Sequence, residues 1–226
     1  MTRKIILGLF WLGFIGYAVF LAPPTQPDTF ELIKRLSTGQ IAGINPLIVA
    51  LFNILGVFPL IYGCLLLADG RMQRLPAWPF MLGSFGTGAF ALLPYLALRD
   101  PNSNFSGEKS ALLKFFDSRW FGISLAIGAI GLVAYGITQG NWADFIQQWQ
   151  TSRFIHVMSL DFCALCLLFP TLLGDDMARR QLHDRRIFWG VSLLPFLGAA
   201  LYVALRPPLP DASPTATGLN QQPMSS

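Results

Sequence analysis

The stretch Ile44-Asn-Pro-Leu-Ile-Val-Ala-Leu-Phe-Asn-Ile-Leu-Gly-Val-Phe-Pro-Leu-Ile-Tyr-Gly-Cys-Leu-Leu-Leu-Ala68 decides the fold class, because it contains no Asp, Glu, Lys or Arg. A bilayer core about 30 Å thick requires roughly 20 apolar residues in a helix. The bilayer core holds no water to satisfy backbone amides, so such a run has to be helical. The stretch predicts a transmembrane helix.

Five further runs of similar length and composition lie along the chain, at residues 5–22, 75–98, 120–143, 154–174 and 187–205. The chain of 226 residues is 53% hydrophobic and only 12% charged. We therefore expect an all-α, polytopic membrane helical bundle of about six transmembrane helices in one domain, residues 1–205. Residues 206–226 are rich in proline and lack hydrophobic periodicity, which predicts a disordered tail.

The first run also has the charged-then-apolar layout of a secretory signal, but its length and the prolines that follow it favour a retained helix. With six spans, Lys and Arg divide six to ten between the two sides. The positive-inside rule then favours both termini on the outer or lumenal side. Three loops, 28–36, 109–116 and 141–149, carry apolar residues at helical spacing, which predicts short interfacial helices.

Polar residues within the runs are the candidate functional groups. Asp161 is the only acidic or basic residue inside a run, and its cost in lipid makes it a candidate proton or ion relay. Alternatively it lies two turns from Arg153 and is neutral, or it pairs with a polar group on another helix, such as Asn45, Asn53, Tyr62 or Thr87. His156 precedes it near the membrane interface, where hydrogen bonding is favoured over axial ligation of a haem or pigment.

Cys163 and Cys166 form a CxxC pair in the fifth run. The string Asp161-Phe-Cys-Ala-Leu-Cys166 resembles the redox site of the vitamin K epoxide reductase family over about ten residues. The resemblance implies thiol exchange with a quinone, but that family also needs a second cysteine pair, and Cys64 is the only other cysteine here. Small packing residues are the favoured interpretation. His156 and the two thiols are too far apart along one helix to bind one metal ion, so the sequence requires no cofactor.

Basic residues cluster after the fifth run, as Arg179, Arg180, Arg185 and Arg186. Charges of this kind beside spans are the ordinary topological signal, and they are also candidates for contacts with acidic lipid headgroups or a partner subunit. The net charge of +4 therefore requires no nucleic-acid partner.

Two short similarities suggest an internal repeat. Phe58-Pro-Leu-Ile-Tyr-Gly63 resembles Phe169-Pro-Thr-Leu-Leu-Gly174, and Leu92-Leu-Pro-Tyr-Leu96 resembles Leu193-Leu-Pro-Phe-Leu197. Two units of three spans would be inverted relative to each other, an arrangement typical of transporters.

Segments 45–59 and 152–162, together with Gly174-Asp-Asp-Met-Ala-Arg-Arg180, resemble an uncharacterised family of multi-span membrane proteins of cyanobacteria and chloroplasts. The resemblance implies a thylakoid or plasma membrane and a role around photosynthetic complexes. No catalytic constellation is found in the sequence. The favoured hypothesis is a non-enzymatic factor that binds or helps assemble a larger membrane complex. The alternative is a small transporter or thiol-redox protein that uses Asp161 or the two cysteines.

Overall fold

The computed structural model describes residues 1–105 and 108–210, and this part of the chain is helical without any strand. The helices are α1 Thr2–Gly16, which continues as a π-helical turn Tyr17–Leu21, α2 Thr29–Ser37, α3 Pro46–Asp69, α4 Trp78–Thr87, α5 Ala89–Leu98, α6 Ala111–Phe116, α7 Arg119–Gln139, α8 Trp142–Thr151, α9 Arg153–Leu168, α10 Pro170–Arg179, α11 Arg185–Leu193 and α12 Leu197–Leu205. A short 3-10 turn, Gly70–Met72, follows α3.

Four helical stretches in the described residues are long and apolar enough to cross a membrane: Thr2–Leu21, Pro46–Asp69, Arg119–Gln139 and Arg153–Arg179. The chain is accordingly an all-α integral membrane protein, and this part of the prediction is confirmed. Six spans are not confirmed, because the third and sixth apolar runs each fold into two short helices.

The third run forms a helical hairpin, α4 and α5, whose two ends lie on the same side of the bundle. Gln73, before α4, bonds to the backbone of Asp100, after α5. The turn is at Gly88, whose φ of +53° is a conformation that glycine adopts at little cost. Pro94 does not break the helix, since α5 continues through that residue.

The sixth run forms a second hairpin, α11 and α12, whose two ends also lie on the same side of the bundle. Tyr202 and Arg206, at the end of α12, bond to Asp176 in α10, close to where α11 begins. The chain reverses around Pro195 and Phe196, which has a φ of +57°. Helices of nine or ten residues extend about 15 Å, so each hairpin reaches only half the thickness of a bilayer.

The two hairpins make the two halves of the chain repeat each other. The first half comprises α1 to α5 and the second half α7 to α12. Each half has a span, an interfacial helix, a returning span and a hairpin. The hairpin enters from the same side of the bundle as the first span of that half. The second helix of each hairpin packs on the first span of its own half, α5 on α1 and α12 on α7. The halves therefore run in the same direction across the membrane, and the inverted arrangement expected from the proline motifs is wrong, because it counted each hairpin as a full crossing.

The basic residues fall almost entirely on one face of this bundle, which we name the arginine face. It carries Arg3, Lys4, Arg71, Arg74, Arg99, Lys109, Lys114, Arg119, Arg179, Arg180, Arg185, Arg186 and Arg206. The opposite face carries only Lys34, Arg35 and Arg153. The positive-inside rule favours the arginine face as the cytoplasmic side, which reverses the orientation expected for six spans.

The predicted interfacial helices are present as α2, α6 and α8. Asn141 caps α8 by accepting a hydrogen bond from the Asp144 amide at 3.1 Å, whereas the Asp28 side chain makes no cap at α2. The proposed tail is ordered at its start: Leu209 is buried, and its amide donates to Asp117 at 2.9 Å. The remainder of the tail, residues 211–226, lies outside the described residues.

Candidate functional site

A cavity of about 610 Å³ opens between α1, α3, α9 and the tip of the first hairpin. Its walls are mostly apolar. Thr25, Thr29 and Arg153 lie at its outer end, on the side of the bundle opposite the arginine face. At its inner end lie Asp161 and the hairpin tip, residues 84–88. The cavity therefore extends from one membrane interface toward the middle of the bundle, and its size is that of sites for small organic ligands.

Asp161 forms the floor of this cavity, and it is held there by the hairpin. Its Oδ1 accepts a hydrogen bond of 2.7 Å from the backbone amide of Ala89, the first residue of α5. The carboxyl group lies against Gly88, where a Cβ atom would fall 1.7 Å from Oδ2. The glycine that turns the hairpin is thus also the residue that admits the carboxylate. The sequence had suggested Asn45 or Asn53 as the partner of Asp161, and neither of them is.

Those two asparagines lie elsewhere and have local partners. Asn45 caps α3 at the opposite face and donates to Asp144 of α8 at 2.7 Å. Asn53 is exposed on α3 and donates to the carbonyl of Val49 at 2.8 Å. The four polar candidates of the sequence therefore do not assemble into one site.

His156 joins three helical segments at the outer end of the bundle. The hydroxyl of Tyr17 is 2.8 Å from its Nε2, and the carbonyl of Trp149 is 2.9 Å from its Nδ1. Since a carbonyl only accepts, Nδ1 carries the proton and Nε2 accepts from the tyrosine. The imidazole also lies nearly parallel to both aromatic rings, with centroid distances of 5.8 Å to Tyr17 and 4.4 Å to Trp149. This is the hydrogen-bonding role that the sequence favoured, and it fixes the π-helical end of α1 beside the cavity.

The two cysteines of the CxxC pair are free thiols. Cys163 is exposed on the outside of α9, Cys166 is half-buried, and Cys64 is buried on α3. No group of three His, Cys, Asp or Glu side chains within residues 1–105 and 108–210 could hold a metal ion. The expectation that these thiols are packing residues remains a prediction.

The arginine face contains two buried ionic clusters that the sequence analysis missed. In the first, Asp69 accepts from Tyr95 at 2.6 Å and from Arg99 at 2.7 and 2.8 Å. In the second, Asp176 accepts from Tyr202 at 2.7 Å and from Arg206 at 3.0 Å.

Each residue of the second cluster lies 107 positions after its counterpart in the first. The signal was present in the sequence as Tyr95-Leu-Ala-Leu-Arg99 and Tyr202-Val-Ala-Leu-Arg206, each preceded by an aspartate 26 positions before its tyrosine.

Arg179 and Arg180 belong to these clusters and not to the lipid-facing surface. Arg179 donates to Asp69, and Arg180 donates to Asp176 at 2.8 Å and to Asp117 at 2.8 Å. Both guanidinium groups are buried, so the expected contact with lipid headgroups is wrong for these two residues. Arg185 and Arg186 are exposed, and for them a lipid or partner contact stays a prediction.

The acidic partners keep the buried guanidinium groups charged. Burial alone lowers the pKa of Arg99, but its hydrogen bonds and proximity to Asp69 and Asp175 offset this, and the pKa is raised above its ordinary value. Burial likewise lowers the pKa of Arg180, but the charges of Asp176 and Asp117 and the hydrogen bonds to them together raise it above its ordinary value. Every acidic partner is engaged by a cation, so the clusters are structural contacts and not an open binding site.

Comparison with protein-family models, curated proteins and solved structures finds no match for the chain.

Proposed function

We propose that the protein binds a small lipophilic molecule in the cavity above Asp161 and acts as a membrane carrier for it. One observation carries this proposal: a carboxylate stands at the inner end of an open, mostly apolar cavity, at the tip of a re-entrant hairpin. Re-entrant helix ends at mid-membrane depth are typical of transporter binding sites. The proposal develops the second sequence hypothesis, a small transporter that uses Asp161.

The internal repeat supplies a comparison within the same molecule. The position equivalent to Asp161 in the first half is Ile54, which is buried in the apolar core. The tip of the second hairpin is closed by aromatic packing, since the ring of Phe196 lies 5.0 Å from that of Phe58 and 6.4 Å from that of Phe162. The costly carboxylate is thus present only opposite the hairpin tip that is left uncovered, the tip of the first hairpin, which supports a binding role for it.

The test is to purify the protein in mild detergent, extract what it retains with organic solvent and identify it by mass spectrometry. The matched variant is Gly56→Phe, because Gly56 lines the cavity with no atom within 4 Å of an added Cβ. Its control is Gly131→Phe, at an exposed position of α7 with the same free space. We expect a defined small molecule with the wild type and the control and none with Gly56→Phe. Equal retention by all three proteins would contradict the proposal.

The assembly of a larger, possibly photosynthetic complex remains a separate proposal. The spans Thr2–Leu21 and Arg119–Gln139 are the least buried of the four, and both leave apolar faces for lipid or for a partner. The thylakoid setting rests on the family resemblance alone. Copurification of a large membrane complex with the tagged protein in mild detergent tests this role, and a solitary monomer would count against it.

A further inference from the structure

We infer that the ligand of the cavity carries a hydrogen-bond donor, a hydroxyl or a protonated amine, at the end that lies deepest in the membrane. This inference rests on the proposed binding function and specifies the chemical class of the molecule bound. It follows from the hydrogen bonding of Asp161, the composition of the walls and the direction of the cavity.

Asp161 has one oxygen committed to the protein and one available. Oδ1 accepts from the Ala89 amide, whereas Oδ2 has no hydrogen-bond partner among residues 1–105 and 108–210. The residue is only 6% exposed and lines the cavity. The amide belongs to the N-terminal end of α5, where the helix dipole stabilises a negative charge. The free oxygen is therefore an acceptor in an apolar setting, and leaving it without a donor costs free energy.

Four phenylalanine side chains line the length of the cavity between its two polar ends. They are Phe52, Phe85, Phe90 and Phe154. A wall of this kind favours an apolar body and supplies no partner for polar groups along it. Any donor on the ligand is then best placed at its inner tip, against Oδ2.

The direction of the cavity argues against an ordinary membrane lipid. A lipid of the leaflet beside α2 would enter with its headgroup near Arg153 and its acyl chain pointing inward. The chain end would then meet the carboxylate of Asp161 and desolvate it without a hydrogen bond. Free fatty acids are disfavoured further if they enter in the reverse direction, because two carboxylates would meet.

The experiment measures retention of radiolabelled dodecanol by immobilised protein, with Gly56→Phe defining the background. Dodecylamine, dodecyl methyl ether and dodecanoate compete for the site. These probes share one apolar chain and differ in their polar end. We expect the alcohol and the amine to compete at least tenfold better than the ether, and dodecanoate to be the weakest.

Asp161→Asn and Asp161→Leu both remove the free acceptor oxygen. In Asp161→Asn the one remaining oxygen accepts from the Ala89 amide and the NH2 group, a donor, faces the cavity, so the alcohol and the amine should both lose their advantage over the ether. Asp161→Leu should bind the ether as well as the alcohol. Thermal unfolding of each variant checks its fold, and Asp161→Asn, which is closest in shape, decides the result if Asp161→Leu is unstable.

Two outcomes overturn the inference in different ways. If the ether competes as well as the alcohol with the wild type, and Gly56→Phe still abolishes retention, the cavity binds lipophilic molecules but the assignment of a donor is wrong. If no probe is retained above the background of Gly56→Phe, both the inference and the proposed function are contradicted.

Discussion

Arg206 donates a hydrogen bond of 2.9 Å to the backbone carbonyl of Cys64, so the last helix of the second half is tied to the returning span of the first. The reciprocal bond joins Arg99 to the carbonyl of Thr171 at 3.2 Å. Cys64 and Thr171 are themselves 107 positions apart, like the two arginines. Such an exchange is what two similar halves make when they face each other across an approximate two-fold axis.

Asp69→Asn should destabilise the protein strongly. The carboxylate of Asp69 is fully buried and is bonded to Arg99 and Arg179, each of which would lose this charged acceptor. Removing one partner of a buried ion pair costs about 3–5 kcal/mol. Thermal unfolding in detergent measures the loss. Asp100→Asn, at an exposed ion pair with Lys4, is the control and should change the melting temperature little. Similar losses in the two variants would refute a structural role for the cluster.

Gly88→Ala should disrupt the first hairpin, both because φ is +53° and because the new Cβ would overlap the carboxylate of Asp161. Gly86→Ala, two residues earlier, has no atom within 4 Å of the added Cβ and serves as the matched control. We expect a clear drop in melting temperature and loss of ligand retention for Gly88→Ala alone. In combination with Asp161→Ala the clash is removed but the strained φ remains, so recovery should be partial.

Labelling of single cysteines distinguishes hairpins from spans. In a background without Cys64, Cys163 and Cys166, we would introduce Arg74→Cys before α4 and Ser103→Cys after α5. A membrane-impermeant thiol reagent should label both positions from the same side, the cytoplasmic one, and Lys34→Cys from the other. Labelling of positions 74 and 103 from opposite sides would restore the six-span arrangement.

Tyr17→Phe should loosen the outer end of α1. It removes the hydroxyl that donates to Nε2 of His156 and leaves a buried ring nitrogen without a donor, which costs about 1–3 kcal/mol. Hydrogen exchange of the π-helical turn Tyr17–Leu21 should become faster, with little change in α7. Unchanged exchange in that turn would show that the contact does not hold α1 in place.

The sequence was sufficient for the membrane class because apolar length is a direct physical requirement of the bilayer. It was insufficient for the number of crossings, since the run 75–98 has the length and composition of a span whether it crosses or turns back at Gly88. The φ angle of a glycine in an apolar run cannot be predicted from the sequence alone.

Asp161 was identified from its cost in lipid, but its contact with Ala89 depends on the hairpin and was not predictable. The clusters around Asp69 and Asp176 were not predicted because both residues lie at span ends, where charged residues are common. The repeated spacing of tyrosine and arginine was nevertheless present in the sequence.

The carboxylate of Asp161 has no counterpart in the first half, and this determines the expected stoichiometry of binding. Although the architecture is doubled, a single molecule of cargo should saturate each polypeptide, because the tip of the second hairpin is filled by Phe58, Phe162 and Phe196.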